Sequence, residues 1–325
     1  MLPPPFISII ICTRNRMGHI GDMLDTLVEM TPPDDTDWEV IVVDNGSSDD
    51  TFDIASSYSK TLPLKVVKEP QAGLSFARNK GIETAAGEYI IWTDDDVRVD
   101  KDWLCAYNRA FKDHPDAAYF GGVIEPVFLG ETPDWLTENI ENLRSEFAQR
   151  DLGSEQRVFK GIDGDTPYGA NFAVRGQEQR KYLYPTYLGV SPNFQRVGEE
   201  TFVLAKITEN NGHGYWIPDA KVLHIIPEAR QSLAYILKYN RSQGETWAVL
   251  AARREPNFMN AQLSSSDTYF QNAPLWLWRK AAIATVRYLL RYFIKSYPKK
   301  FKAIAEYGYH RGALDYLRKN RNSLN

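Results

Sequence analysis

The chain is poor in cysteine. Two of its 325 residues, Cys12 and Cys105, carry thiols, too few for a disulfide framework or a cysteine-based zinc site, so a reducing cytoplasm is the expected setting. An excess of positive charge is also missing. Against 38 Lys and Arg stand 42 Asp and Glu, a net charge of −4, and no nucleic-acid partner is expected. The sequence has no stretch of roughly 20 uncharged apolar residues of the kind that spans a bilayer. Met1-Leu2-Pro3-Pro4-Pro5 lacks the basic region and apolar core of a secretory signal. No internal repeat is visible. The G-x-G-x-x-G that follows the first strand of a dinucleotide fold is absent, which counts against hydride transfer.

What is present is the composition of a globular protein, with 43% hydrophobic and 25% charged residues, and with aromatics high at 13%. Aromatics at that density line sugar or lipid contacts as well as cores. The length allows one large domain or two small ones. Phe6 to Cys12 reads as a buried strand, and Ile20, Leu24, Leu27 and Val28 then share a helical face. Trp38 to Val43 is a second strand, ending on Asp44. The turn Asn45-Gly46-Ser47-Ser48-Asp49-Asp50-Thr51 leads into a further helix. Leu64 to Val67 is a third strand, and a helix over about 74–86 carries Arg78. This alternation predicts an α/β fold with a doubly wound, mostly parallel sheet. Further on, 118–124 and 168–176 read as strands, 132–153 as a helical excursion with a polar loop, 177–197 as irregular, and a helix begins at Glu199.

The apolar run Tyr89-Ile90-Ile91-Trp92 breaks off into Thr93-Asp94-Asp95-Asp96. A parallel strand that ends this way delivers carboxylates to the edge where open α/β sheets bind ligands. Adjacent carboxylates repel one another, and a cation relieves them; hard oxygen donors suit Mg²⁺ or Mn²⁺. The competing reading is a solvated acidic turn. Strand alternation sends Asp94 and Asp96 to one side and favours that pair.

Five segments in order resemble the inverting, metal-dependent glycosyltransferases of family 2, with the GT-A fold and nucleotide-sugar donors. They are Ser8-Ile9-Ile10-Ile11-Cys12-Thr13-Arg14-Asn15-Arg16, Val42-Val43-Asp44-Asn45-Gly46-Ser47-Ser48-Asp49, Gly73 to Gly81, Thr93-Asp94-Asp95-Asp96, and Gly198-Glu199-Glu200-Thr201. The resemblance runs from Phe6 to about Trp247. It implies that Asp44 accepts a hydrogen bond from a uracil base, that Thr13, Arg14 and Arg78 lie along the nucleotide, and that Asp94 or Asp95 meets the ribose or metal-bound water. It implies Asp96 as a metal ligand, with His224 completing the metal or diphosphate site. One of Glu199 and Glu200 becomes the general base, Glu200 by register; Glu at the second position, where the family has Asp, leaves the choice between them open. Tyr168, Gly169, Ala170 and Asn171 match a region that lines the donor-sugar and acceptor pocket. For each the plain alternative is structural: a turn cap, a surface ion pair, a helix-dipole acid, an interior histidine or an edge strand.

The segment beyond Trp247 is different in kind. Between Asp267 and Glu306 no acidic residue interrupts Arg279, Lys280, Arg287, Arg291, Lys295, Lys299, Lys300 and Lys302. The run Trp276-Leu277-Trp278, then Ala282, Val286, Leu289, Phe293 and Tyr297, can form an apolar face beside them, which suits an anionic membrane surface. The alternative is a helix packed on the catalytic domain. The expected organisation is a GT-A domain over 1–250, with a nucleotide-binding half (1–100) and an acceptor-binding half (101–250), followed by a basic helical segment over 251–325.

The expected reaction moves a sugar, most simply from a UDP-sugar, to a hydroxyl of a glycan or lipid-linked acceptor, as in cell-envelope polysaccharide synthesis. The expected location is the cytoplasm, peripheral on the inner face of the membrane. Two rivals stand. A metal-dependent nucleotidyltransferase would also use paired carboxylates, but its basic, glycine-rich triphosphate cradle is not found after the first strand. The other is a non-catalytic carbohydrate- or membrane-binding protein of the same fold.

Overall fold

The isoleucine-rich run near the N-terminus forms the strand on which the first of two structural units is assembled. The structure, a computed structural model, describes residues 6–161, 165–255, 262–264 and 266–320. The first unit comprises Met1–Val127, Ala148–Phe194 and Glu199–Ile225, and the second Phe128–Phe147, Gln195–Gly198 and Ile226–Asn325.

The main sheet of the first unit contains β1 (Ile7–Thr13), β2 (Trp38–Asp44), β3 (Leu64–Lys68), β4 (Tyr89–Asp94), β5 (Val97–Val99), β6 (Tyr119–Phe128), β7 (Arg157–Val158), β8 (Asn171–Arg175) and β9 (Gly214–Ile226). Their order is β3-β2-β1-β4-β8-β6-β9-β5, with β7 on β9. β1 to β4 are parallel. β8 then runs antiparallel to β4 and β6, and β5 and β7 antiparallel to β9.

β1 explains why the sheet is covered on both faces. Ile7, Ile9 and Ile11 enter one core with the helices Ile20–Glu29 and Trp103–Asp113. Ile10 enters the other with the helices Leu74–Thr84 and Glu199–Glu209. All four are 0% exposed, and burying each is worth roughly 1.5–3 kcal/mol. Ser8 is the polar exception. Its hydroxyl donates to Glu39 Oε1 (2.6 Å) and accepts from the Gly87 N–H (2.8 Å), so its burial leaves no unmet hydrogen bond.

Several expectations change. Residues 132–153 hold only the short helix Asp134–Thr137 and a single turn, Ile140–Asn142, although Leu136, Ile140, Leu143 and Phe147 recur at helical spacing and pack into one core. The stretch expected to be irregular contains the helix Gly176–Lys181. β5 and β9 went unread.

The second unit is helical. The helices Leu233–Arg253 and Tyr297–Lys319 pack along their length. A methyl group at Gly244 would lie 1.8 Å from the Tyr309 carbonyl oxygen, and one at Gly312 would lie 2.0 Å from that of Arg241. Only glycine permits that backbone approach. Leu136, Leu143, Phe147, Ile226, Ile236, Phe301 and Ile304 form the core. The expected boundary at residue 250 falls inside the helix Leu233–Arg253, whose partners lie on both sides of that point in the chain. The helix Leu275–Leu290 buries Leu277, Ala281 and Ala284 and exposes Val286 and Leu289. The expected apolar face is thus split, since Tyr297 turns inward to stack on Trp135.

Candidate active site

The carboxyl ends of β1, β2 and β4 lie side by side, with Thr13 in register with Asp44 and Cys12 with Asp94. Beyond them the three aspartates separate by direction. Asp95, 7% exposed, turns to β1, where it accepts from the Thr13 hydroxyl (2.8 Å) and pairs with Arg16 Nε (3.4 Å). Burial pushes its carboxyl up to about 7, against the pull of Arg16 and Thr13. Asp96 Oδ1 meets His224 Nε2 at 3.5 Å and its Oδ2 meets Arg16 Nη2 at 3.8 Å. Asp94 is raised by burial, is lowered by Arg78 and feels Asp96, His224 and Glu200. Asp94 thus feels Asp96 and His224, while Asp95 and Asp96 share Arg16; β4 ends at Asp94 and a turn begins at Asp95, so the strand alternation expected to pair Asp94 with Asp96 does not extend to Asp96.

His224 reaches Asp96 through sheet register. β5 starts immediately after Asp96, and its antiparallel pairing with β9 sets Val97 opposite His224, while the Ile225 N–H donates to the Asp96 carbonyl (2.8 Å).

The arginine at these aspartates is Arg16, which the sequence does not single out; Arg14, expected along the nucleotide, is exposed. Asn15 between them is left-handed (φ 52°), held by Ser47 Oγ accepting from its N–H (2.9 Å) and by its Oδ1 accepting from the Ser48 N–H (2.8 Å). This reverses the chain and sends the two arginines apart. Asp44 is 3% exposed and accepts only long bonds, 3.3 and 3.4 Å, from the Ser47 N–H among the described residues. The neighbouring Asn45 ties down the next loop: its Nδ2 donates to the Glu69 and Gln71 carbonyls (3.0 and 2.8 Å), and its Oδ1 accepts from the Gly73 N–H (2.7 Å).

That loop opens the helix carrying Arg78, which is 4% exposed. Arg78 Nη1 lies 2.9 Å from Glu199 Oε1 and 3.8 Å from Glu200 Oε2, with the Tyr184 ring 5.1 Å from its guanidinium. Asn79 and Tyr184 exchange two hydrogen bonds of 2.9 Å, fixing that platform. Burial alone would lower the Arg78 pKa, but Glu199, Tyr184, Glu200 and Asp94 outweigh it and raise it. Both glutamates sit in the first turn of their helix, where the dipole favours acids. Glu199 has a side chain 6% exposed and Glu200 one 18% exposed. Burial, then the adjacent Glu200, push Glu199 up to about 8 against the pull of Arg78. Cys12 is unsuited to act as a nucleophile, since burial pushes its thiol up to about 12.

The four expected pocket residues divide. At Gly169 a methyl group would lie 3.0 Å from Arg78 Nη2 and 3.6 Å from Glu200 Oε1, so the missing side chain keeps this approach open. Tyr168 lies under the Arg150 guanidinium at 4.8 Å. Ala170 belongs to the core. Asn171 is corrected outright: it is fully buried, and Oδ1 accepts from Trp103 Nε1 (2.9 Å) and the Tyr107 hydroxyl (2.8 Å) while Nδ2 donates to the Val123 and Ala220 carbonyls (2.9 and 2.8 Å). With all four bonds filled, it has nothing left for a sugar.

A sheet whose parallel strand ends gather acids around a histidine and two arginines, with strands of the opposite sense beyond, has the GT-A architecture. The chain belongs to glycosyl transferase family 2, whose model matches residues 8–175, more than half of its length. It is 36% identical over 112 residues to a cholesterol galactosyltransferase of Borreliella burgdorferi, covering 34% of this chain and 30% of that one. It is 26% identical over 254 residues to the succinoglycan biosynthesis protein ExoM of Rhizobium meliloti, covering 76% of each. The chain spans about a third of the length of the first curated relatives it matches. Among solved structures, the mannosyltransferase PcManGT of Pyrobaculum calidifontis, in complex with GDP-Man and Mn²⁺, superposes with a TM-score of 0.61 at 20% identity, over 97% of this chain and 87% of that one. S. aureus TarS 1–349 in complex with UDP-GlcNAc gives 0.56 at 16% identity, over 96% and 91%. At those identities the likeness is one of fold.

Proposed function

We propose that the chain transfers one sugar from a nucleotide diphosphate sugar, most simply a UDP-sugar, to a hydroxyl of a glycan or lipid-linked acceptor, with inversion. The observation that carries this reading is the meeting of Asp94, Asp96 and His224 with the Arg78–Glu199–Glu200 group in one site. Glu200 is the base. Glu199 is the more buried of the two and lies 2.9 Å from Arg78, so Glu200, 3.8 Å from the same guanidinium and more exposed, is the carboxylate an acceptor hydroxyl can reach. Asp44 and Thr13 border the nucleotide, and Gly169 leaves room for the sugar.

The donor set suits Mn²⁺ or Mg²⁺. No three acidic, histidine or cysteine side chains close into a metal cage among the described residues, but a carboxylate and an imidazole face each other at Asp96 and His224. An ion shared with a diphosphate takes its other ligands from phosphate oxygens and water. Bound there, it neutralises charge on the departing diphosphate. PcManGT was solved with Mn²⁺ and its donor, which supports the choice. Asp96→Asn is expected to weaken UDP binding in the presence of Mn²⁺ by about 10-fold or more. Calorimetry with and without the ion checks this, and equal affinity in mutant and wild type removes Asp96 from the metal shell.

The acceptor reading includes a peripheral place on the inner face of the membrane. No described helix is long and apolar enough to cross a membrane. The segment 283–293 instead exposes Ile283, Val286, Leu289, Leu290, Tyr292 and Phe293, the last at 84%, beside the cations Arg291 and Arg287, the latter paired with Glu306 at 2.7 Å. Apolar side chains can enter the headgroup boundary, and each cation near an anionic surface adds about 1 kcal/mol. The full chain is expected to sediment with phosphatidylserine vesicles at low salt and less at high salt, and the Leu289→Asp, Phe293→Asp double variant to stay in the supernatant. Equal sedimentation of both proteins would end the membrane reading.

A further inference from the structure

Three helices of the second unit line a half-open pocket that the transfer site does not use. Trp247 from the helix Leu233–Arg253, Trp276, Leu277 and Lys280 from Leu275–Leu290, and Tyr309 and His310 from Tyr297–Lys319 surround about 340 Å³, with Gln262 at its edge. That volume lies at the small end of ligand pockets. The two tryptophans meet edge to face, with ring centres 5.8 Å apart and planes at 81°, so they present two differently oriented apolar walls.

The polar groups are of one sign. No carboxylate lines the cavity. Lys280 Nζ sits 5.3 Å from the Trp276 ring and has no acidic partner among the described residues. His310 Nδ1 is shut off from water with no hydrogen-bond partner among the described residues. Burial, then Lys280, pulls the His310 pKa down, so the imidazole is held neutral beside a lone ammonium. Flat aromatic walls accept the C–H face of a sugar ring, and the amide of Gln262 and the hydroxyl of Tyr309 suit its hydroxyls.

We infer that this cavity binds a single anionic sugar unit, its ring against Trp247 and Trp276 and its acidic group on Lys280. It is thus a second carbohydrate site, one that holds an acidic residue of the glycan the enzyme extends. The transferase reading enters only in calling that ligand part of the acceptor; the binding itself involves no transfer. The acid group is a carboxylate, as in a uronic acid, or a phosphate, as in a sugar phosphate.

The test is a tryptophan-fluorescence titration of the full chain, with UDP and Mn²⁺ present in saturating amounts so that the transfer site is filled. Glucuronate, glucose 1-phosphate, glucose and inorganic phosphate are the probes. At least one anionic sugar should bind saturably and at least about 10-fold more tightly than glucose and inorganic phosphate, the factor expected from one charge-assisted contact. Which of the two binds identifies the acid group. Lys280→Gln, a change at an exposed side chain, should erase the preference over glucose, and Trp276→Leu should weaken all the sugars. UDP affinity in both variants should equal that of the wild type, which separates this site from the transfer site. Absence of saturable binding, an equal response to inorganic phosphate, or an unchanged preference in Lys280→Gln would overturn the inference.

Discussion

With donor saturating, Glu200→Gln should lower sugar transfer by about 10²-fold or more, the range for loss of a general base, while UDP affinity in the presence of Mn²⁺ stays unchanged. Glu199→Gln should cost less. The two glutamates are neighbours in sequence yet differ in partner: Arg78 holds Glu199 at 2.9 Å and Glu200 at 3.8 Å, and Glu200 keeps three times the exposure, 18% against 6%. A base must reach the acceptor, and the side chain held against Arg78 reaches it less well. Titration adds a second readout. Glu199 binds its proton more tightly folded than unfolded, since burial moves it from 4.5 to about 8. Its contribution to stability is therefore complete below 4.5 and lost as pH rises through about 8, and Glu199→Gln should flatten the fall in stability across that window. Urea unfolding at several pH values, beside the transfer assay, measures both effects. Greater damage from Glu199→Gln at saturating donor would reverse the two roles.

Which parts of this site could be read in the sequence follows from how far apart its pieces lie in the chain. β1, β2 and β4 were legible because a central parallel strand needs an unbroken apolar run and stops where polarity begins, at Thr13, Asp44 and Asp94. Strand alternation does not reach Asp96, because the strand stops at Asp94 and a turn begins at Asp95. The segment motifs identified the family, as the match over residues 8–175 bears out. Arg16 was hidden by one backbone angle: Asn15 at φ 52° turns Arg16 to the aspartates, and asparagine is a residue type that enters that region readily. β9 alternates buried and exposed through Asp219, Lys221 and Leu223, but Pro218 within it argues against a strand. The nearness of His224 to Asp96 rests on the β5–β9 register, a contact between distant parts of the chain that no local pattern encodes. The stripe of Val286, Leu289 and Phe293 was legible as apolar; that it stays exposed depends on which side of its helix packs, and Leu277, Ala281 and Ala284 take that side.

Asn171 gives the clearest case of a residue whose type was read correctly and whose place was not, and replacing it should markedly destabilise the first unit. A polar residue at the start of a strand-like run invites a binding role. In the fold it is a four-way junction, taking donors from Trp103 and Tyr107 on one helix and giving its own to carbonyls of β6 and β9. Asn171→Leu keeps the volume and removes every bond, leaving an indole N–H, a phenol and two carbonyls buried without partners. Each unmet group costs about 1–3 kcal/mol, with partial relief where a neighbour can shift, so a loss of about 3 kcal/mol or more is expected. Asn171→Asp retains the acceptors but loses both donors and buries a carboxylate beside two carbonyl oxygens, so it should also destabilise. Urea denaturation should show a lower midpoint with an unchanged slope, and the protein that remains folded should keep the wild-type KM for donor and acceptor. A residue lining a sugar pocket predicts the opposite pattern, normal unfolding with a raised KM. A stability change within about 0.5 kcal/mol, the range of ordinary surface substitutions, would sink the junction assignment and return Asn171 to the pocket.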